Sequence, residues 1–296
     1  MLPSPGCRQR PLTRASNEAN NYIVVIVSKD SIFSKRRMHR IFRDDGRSVV
    51  VAMDHGSGLD VYPALARPAA VLEAVVAAGA DAVLTTPGIV KQFSQELNSV
   101  AVILRVDGGS SQLAEVGSLE CKLLYSVEDA VRLGADAIAC MGFPGTPLET
   151  RTLLNVAKLA GQCEAWGIPL MAEMLPGGLA NSKLHTVENV RLAARIGVEL
   201  GADFIKTLYV APAESFQQVT ESCYRPVLVL GGAKTDDERS LFNIVSSSLK
   251  AGAAGLVMGR NVWGYERPKA MVKALCAMVH NNASVDEAMA LLAVAD

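Results

Sequence analysis

One lysine stands where a lysine is costly. Lys206 lies inside Phe204-Ile205-Lys206-Thr207-Leu208, an otherwise apolar run with the look of a buried strand. An ammonium group in such a place costs several kcal/mol unless it is paired or neutral. Either its long stem carries the charge to a polar rim, or the amine is held there to attack a carbonyl and form a Schiff base. Two glycine-bearing turns form a second group. Gly231-Gly232 follows Val227–Leu230, and Gly259-Arg260 follows Gly255–Met258. Glycine lets a backbone approach an anion closely, and arginine adds a bidentate grip, so the pair suits a phosphate. The simpler alternative is that these glycines only turn the chain. Acidic and basic side chains at other strand ends complete the set. Asp54 is a candidate general acid/base or a helix cap. Arg105 and Asp107 are candidates for a rim ion pair or for tuning the lysine and holding substrate oxygens. His55, Glu149, Glu173 and His185 are further polar residues at such ends.

What must position them is a repeated unit. Eight short apolar runs begin 19 to 36 residues apart: Val49–Met53, Ala82–Thr85, Ala101–Val106, Ala137–Met141, Pro169–Glu173, Phe204–Leu208, Val227–Leu230 and Gly255–Met258. Four are introduced by nearly the same phrase: Ala78-Gly79-Ala80-Asp81, Leu133-Gly134-Ala135-Asp136, Leu200-Gly201-Ala202-Asp203 and Ala251-Gly252-Ala253-Ala254. The phrase reads as a helix closed by a left-handed glycine, then a tight turn into a buried strand. Between the runs, Pro68–Ala78 and Val187–Leu200 carry apolar residues at helical spacing. Eight alternating β and α units in some 250 residues predict an α/β fold, a single (β/α)8 TIM barrel, with its active site at the C-terminal ends of the strands. An open doubly wound sheet fits less well, because Asp54-His55-Gly56-Ser57-Gly58 lacks the dinucleotide-binding glycine spacing.

Composition narrows the class. The 296 residues carry 29 basic and 30 acidic side chains, half the chain is hydrophobic and 5% is aromatic. That balance gives no basic stripe for nucleic acid and no stacking platform. No apolar run approaches the roughly 20 residues of a membrane helix. The six cysteines are scattered and the four histidines never fall at i, i+4. The reading is therefore reduced thiols in a cytoplasmic protein, with no metal site expected. Residues 1–35 are polar, basic and proline-containing around one apolar run, Tyr22–Val27. They read as a disordered N-terminal extension or start-site artefact rather than a targeting peptide. Residues 36–296 are left as the barrel domain.

Taken together, Met53-Asp54-His55-Gly56, Arg105, Phe204-Ile205-Lys206-Thr207, Leu230-Gly231-Gly232-Ala233-Lys234 and Met258-Gly259-Arg260-Asn261-Val262-Trp263 resemble the archaeal-type class I fructose-bisphosphate aldolase family. That family includes the 2-amino-3,7-dideoxy-heptulosonate synthases and the phospho-autoinducer-2 aldolase/thiolase. The resemblance runs from about Arg36 to the C-terminus, and Ala277–Leu292 is similar to the autoinducer branch. It implies that Lys206 is the Schiff-base lysine, Asp54 an acid/base, Arg105 its basic neighbour and Glu149 a glutamate after the fourth strand. Gly231, Gly232, Gly259 and Arg260 would hold phosphate. It implies a metal-independent lyase with no cofactor, acting on a small phosphorylated ketose or keto-phosphate, and a homo-oligomer, with ring-like decamers among the family's assemblies.

One position departs from the pattern: Leu175, before Pro176, stands where the aldolases and synthases have a catalytic tyrosine. Leucine moves no proton, so either Asp54 with His55, or Glu173, takes that part, or the chemistry differs. The alternative chemistry is thiolase-like transfer of an acyl group from a diketone phosphate to coenzyme A on the same lysine. A third reading is a sugar-phosphate-binding barrel without catalysis.

Overall fold

The computed structural model describes residues 34–294 apart from 59, 115–119, 179–180 and 236. Eight parallel strands close a barrel: β1 (Ser48–Ala52), β2 (Ala82–Thr85), β3 (Ala101–Arg105), β4 (Ala137–Gly142), β5 (Leu170–Met174), β6 (Phe204–Thr207), β7 (Val227–Leu230) and β8 (Gly255–Met258). They follow one another in sequence order around the ring, with β1 paired to both β2 and β8. Each of the eight runs expected from the sequence is a strand, with ends shifted by at most one residue. A two-residue ladder joins Asp107–Gly108 to Lys122–Leu123 above β3.

Strand periodicity of two sorts the side chains. Val50, Ala52, Ala82, Leu84, Ala101, Ile103, Ala137, Ala139, Met171, Phe204, Leu228 and Val257 fill the inside. The intervening residues, such as Val49, Val51, Leu104, Ile138 and Ile205, pack outward with the helices. Since alternate residues share a face, the next inward positions up the strands are Arg105, Met141, Glu173 and Lys206. The barrel's parity thus places the ionisable residues at the top of the interior.

The bottom is closed by the segment before β1. Met38, Ile41 and Phe42 are buried in the same inner cluster, and the Phe42 ring meets Phe204 edge-on at 5.3 Å. Basic neighbours fasten this plug to the aspartates of the repeated phrase. Lys35 reaches Asp203 at 2.9 Å, Arg40 reaches Asp136 at 2.7 Å and Arg43 reaches Asp81 at 2.5 Å. The same aspartates accept the N–H groups of Leu170, Val102 and Val49 at 2.7–2.9 Å, closing the start of each preceding strand. Gly79, Gly134, Gly201 and Gly252 have φ between 78° and 99°, the left-handed closure expected of the phrase. Of the expected 1–35 extension, residues 1–33 lie outside the described residues. Lys35, at the end of that segment, is paired with Asp203 at the base of the barrel.

Candidate active site

The strand ends surround a cavity of about 780 Å³, within the range of small-molecule sites. Lys206, Glu173 and Arg105 line it and are buried to 7, 6 and 5% exposure. Register explains their meeting: Glu173 on β5 lies beside Lys206 on β6, both inward. The Lys206 Nζ stands 2.7 Å from Glu173 Oε1. The other carboxylate oxygen of Glu173 accepts a short hydrogen bond from a terminal nitrogen of Arg105. Arg105 Nε donates to Asp54 Oδ2 at 2.9 Å, and its other terminal nitrogen lies 3.4 Å from Asp107 Oδ1. Asp107 is held in turn by the Met141 N–H at 2.7 Å and the Cys121 thiol at 3.3 Å. Two cations and three carboxylates thus form one chain across the mouth, from β1 through β3 and β5 to β6.

Electrostatics set the protonation of this chain. Burial alone would raise the pKa of Asp54, but Arg105 and Lys206 outweigh it and hold the carboxyl below its ordinary value. Glu173 is treated likewise: burial opposes ionisation, and Lys206 and Arg105 overcome it. Arg105 is locked in its charged form by Glu173, Asp54 and Asp107 against the cost of burial. His55 goes the other way. Burial lowers its pKa, Asp54 opposes, and Lys206 and Arg260 push further down, so the ring is neutral near pH 7. It packs edge-on against Trp263 at 5.2 Å and Tyr62 at 5.9 Å, with Nδ1 3.8 Å from Asp54 Oδ1.

Gly231, Gly232, Gly259 and Arg260 line the side of the cavity above β7 and β8. Gly231 and Gly259 are also required by packing. A Cβ on Gly259 would meet the Ala52 carbonyl at 2.7 Å and the His55 ring at 2.6 Å, and one on Gly231 would meet Met258 at 2.9 Å. Gly232 is different: φ is +65° and the space around it is open. Asn261 staples the two loops, donating to the Gly231 and Ala233 carbonyls at 2.7 and 3.0 Å and accepting the Thr235 N–H at 2.8 Å. The Nε of Arg260 is buried without a hydrogen-bond partner among the described residues.

Of the residues singled out from the sequence, Lys206, Asp54, Arg105, His55, Gly231, Gly232, Gly259 and Arg260 converge on this cavity. Glu149 does not. It opens the helix Glu149–Trp166, and its carboxylate turns back to accept the Gly145 N–H at 2.7 Å, outside the cavity lining. His185 faces the Gly178 carbonyl at 3.2 Å. Leu175 is buried with Cys121 and Phe143. The sequence reading undervalued Glu173, the direct partner of Lys206, and gave Asn261 no role of its own. The signal for Glu173 was an acid ending an apolar strand one unit before the lysine strand. Asn261 was visible only as part of the Met258–Trp263 motif, and its stapling of the two loops came from the fold.

Fold and site together define a barrel enzyme of the class I aldolase type, an aldehyde-lyase. The chain belongs to the DeoC/LacD aldolase family, whose model matches residues 48–264. Among curated relatives it is 34% identical over 254 residues to the 2-amino-3,7-dideoxy-D-threo-hept-6-ulosonate synthase of Halobacterium salinarum, covering 86% of this chain and 94% of that one. An uncharacterised aldolase of Saccharolobus solfataricus is 32% identical over 276 residues, 88% of this chain and 99% of that one. Among solved structures, an archaeal fructose 1,6-bisphosphate aldolase superposes with a TM-score of 0.76 at 31% identity, covering 83% of this chain and 98% of that one. Another, with its catalytic lysine covalently bound to the carbinolamine intermediate of its substrate, gives 0.75 at 31% identity, covering 82% and 98%. Among the described residues no helix is long and apolar enough to cross a membrane.

Proposed function

We propose that Lys206 is the Schiff-base nucleophile of an aldolase acting on a phosphorylated ketose or keto-phosphate, without a metal or cofactor. The observation that carries the reading is the buried Lys206–Glu173 contact of 2.7 Å at the floor of the cavity. An ammonium ion cannot attack a carbonyl, so its proton must first leave. Glu173 is the nearest acceptor, and passing the proton to it removes two buried charges without changing the net charge of the cluster. The free amine then adds to the ketone carbon, giving a carbinolamine. Protonated Glu173 returns a proton to the departing hydroxyl, which leaves as water, and an iminium remains.

The iminium accepts the electron pair of the breaking C–C bond as the hydroxyl beyond that bond loses its proton. Asp54, kept ionised beside Arg105, is the base placed for that step. An aldehyde departs, and Asp54 returns the proton to the enamine carbon, which regenerates the iminium. Hydrolysis of the imine restores the lysine. Gly231, Gly232, Gly259 and Arg260 hold the phosphate. Arg105 is a positioning residue here, fixing both carboxylates. Glu149, on its hydrogen bond to Gly145, steadies the loop after β4.

Borohydride reduction with dihydroxyacetone phosphate and several ketose phosphates, followed by peptide mass spectrometry, tests the reading. A substrate-dependent adduct on Lys206 is expected, and its absence with every compound overturns it. Leu175 favours a second reading, acyl transfer to coenzyme A on the same lysine, because its side chain has no dissociable proton to donate. Turnover that stops when coenzyme A is omitted would select that chemistry.

A further inference from the structure

Two polar atoms on one side of the cavity are buried without a hydrogen-bond partner among the described residues, His55 Nδ1 and Arg260 Nε. Gly259 joins them. It precedes Arg260 in the chain, and a Cβ on it would meet the Cε1 edge of the His55 ring at 2.6 Å. The imidazole therefore borders the loop after β8. On its other side, Nδ1 lies 3.8 Å from Asp54 Oδ1, too far for a hydrogen bond. The second oxygen of Asp54 is already taken by Arg105 Nε.

The charges around this ring come from four strand ends. Asp54 follows β1, Glu173 lies on β5, Lys206 on β6, and Arg260 follows β8. Tyr62 and Trp263 supply aromatic walls. Burial, Lys206 and Arg260 keep the ring neutral near pH 7 against the pull of Asp54 and Glu173. A dianion beside Arg260 reverses that balance. It cancels the repulsion from the guanidinium and adds an attraction of its own, which favours the charged form of a histidine. Asp54 and Glu173 are held ionised by Arg105 and Lys206, so neither competes for a proton near that pH.

We infer that His55 is a positioning residue that answers to the anion. When a dianion seats above β7 and β8, the ring takes up a proton from solvent and becomes an imidazolium set between that anion and Asp54. This rests on the β7–β8 phosphate site proposed above and not on the imine chemistry of Lys206. Nδ1–H faces the Asp54 oxygen, so the added proton joins the lone pair of Nε2. The cation draws Asp54 towards it, and filling the phosphate site thereby orients the acid/base. The proton returns to solvent when the anion leaves.

Inorganic sulfate is the probe, because it is a dianion with no proton of its own to lose near neutral pH. Calorimetry in Tris and in Bis-Tris, whose protonation enthalpies differ, counts the protons that accompany binding. The wild-type enzyme should take up as much as about one proton per anion near pH 7. Binding favours the protonated ring, so affinity should fall as pH rises, by as much as about tenfold per unit. In His55→Gln and His55→Asn, sulfate should bind with no uptake and a flat pH profile. Binding without uptake in the wild type, or uptake that persists in the variants, overturns the inference. Sulfate that does not bind, or that binds equally well to Arg260→Ala, defeats the phosphate site and this inference with it. The borohydride adduct on Lys206 tests the catalytic reading separately from all of these outcomes.

Discussion

Replacing Glu173 by Gln tests the proton economy of the site, because it keeps the shape and removes the acceptor. In the structure one oxygen of Glu173 lies 2.7 Å from the Lys206 Nζ, and the other is held by Arg105. The amide fills the same volume, and Arg105 keeps Asp54 at 2.9 Å and Asp107 at 3.4 Å. The barrel should therefore fold, with a stability loss of at most about 3–5 kcal/mol for a broken buried pair. A positioned acid/base contributes roughly 10²- to 10⁴-fold, or about 2.7–5.4 kcal/mol in the barrier. The assay is steady-state cleavage of a ketose phosphate, with borohydride quenching at early times to follow the imine on Lys206. We expect kcat to fall by about 10²- to 10⁴-fold with KM little changed, and the trapped adduct to accumulate correspondingly slowly. A folded Glu173→Gln enzyme with kcat within threefold of wild type would refute the reasoning. Glu173 would then merely balance the charge of its two cationic neighbours.

Arg260→Ala should lower kcat/KM about 10- to 150-fold, mainly through KM, for phosphorylated substrates and leave the dephosphorylated sugar unaffected. Equal loss on both, by initial rates, would move the phosphate elsewhere. Thermal melts should fall as pH drops through and below about 4. Asp54 and Glu173 ionise more readily folded than unfolded, so their contribution is complete above the unfolded pKa and is lost towards lower pH. Asp54→Asn should make that acid limb shallower. Burial pushes the Cys163 and Cys276 thiols up to about 12 and Cys223 to about 11. Iodoacetamide at pH 8 should therefore leave these three unmodified in the folded protein and label them in denaturant, as read by peptide mass spectrometry. Phe42→Ala should cost about 3–5 kcal/mol in urea unfolding, since the ring is buried against Phe204 at the base of the barrel.

Local signals made the barrel readable. A buried parallel strand must be an unbroken apolar run, and a helix that turns back into it needs a left-handed glycine. Both requirements are written in consecutive residues, so all eight strands could be placed within one residue. Lys206 was legible for the same reason, as a charge that breaks an apolar run. The glycines after β7 and β8 were legible as loop ends. Less visible was the second use of the repeated phrase. Asp81, Asp136 and Asp203 read as turn residues, whereas each also caps a neighbouring strand and receives a basic side chain from the segment before β1.

The sequence by itself determined the class of fold, and it singled out Lys206 as the lysine we propose forms the imine. Those depend on periodicity and on residue type within a few positions. Only the tertiary structure decided which side chains share the cavity. Arg105 and Glu173 are 68 residues apart, and their contact depends on inward parity and on the register between strands. A shift of one residue in either strand would turn a carboxylate or the guanidinium outward among the helices. Glu149 shows the converse. Its place after the fourth strand suggested catalysis, but the turn at Gly145 captures its carboxylate before it reaches the cavity. The strand order around the ring likewise sets Arg260 across the cavity from Ser110 and Thr146, residues that spacing along the chain does not bring together.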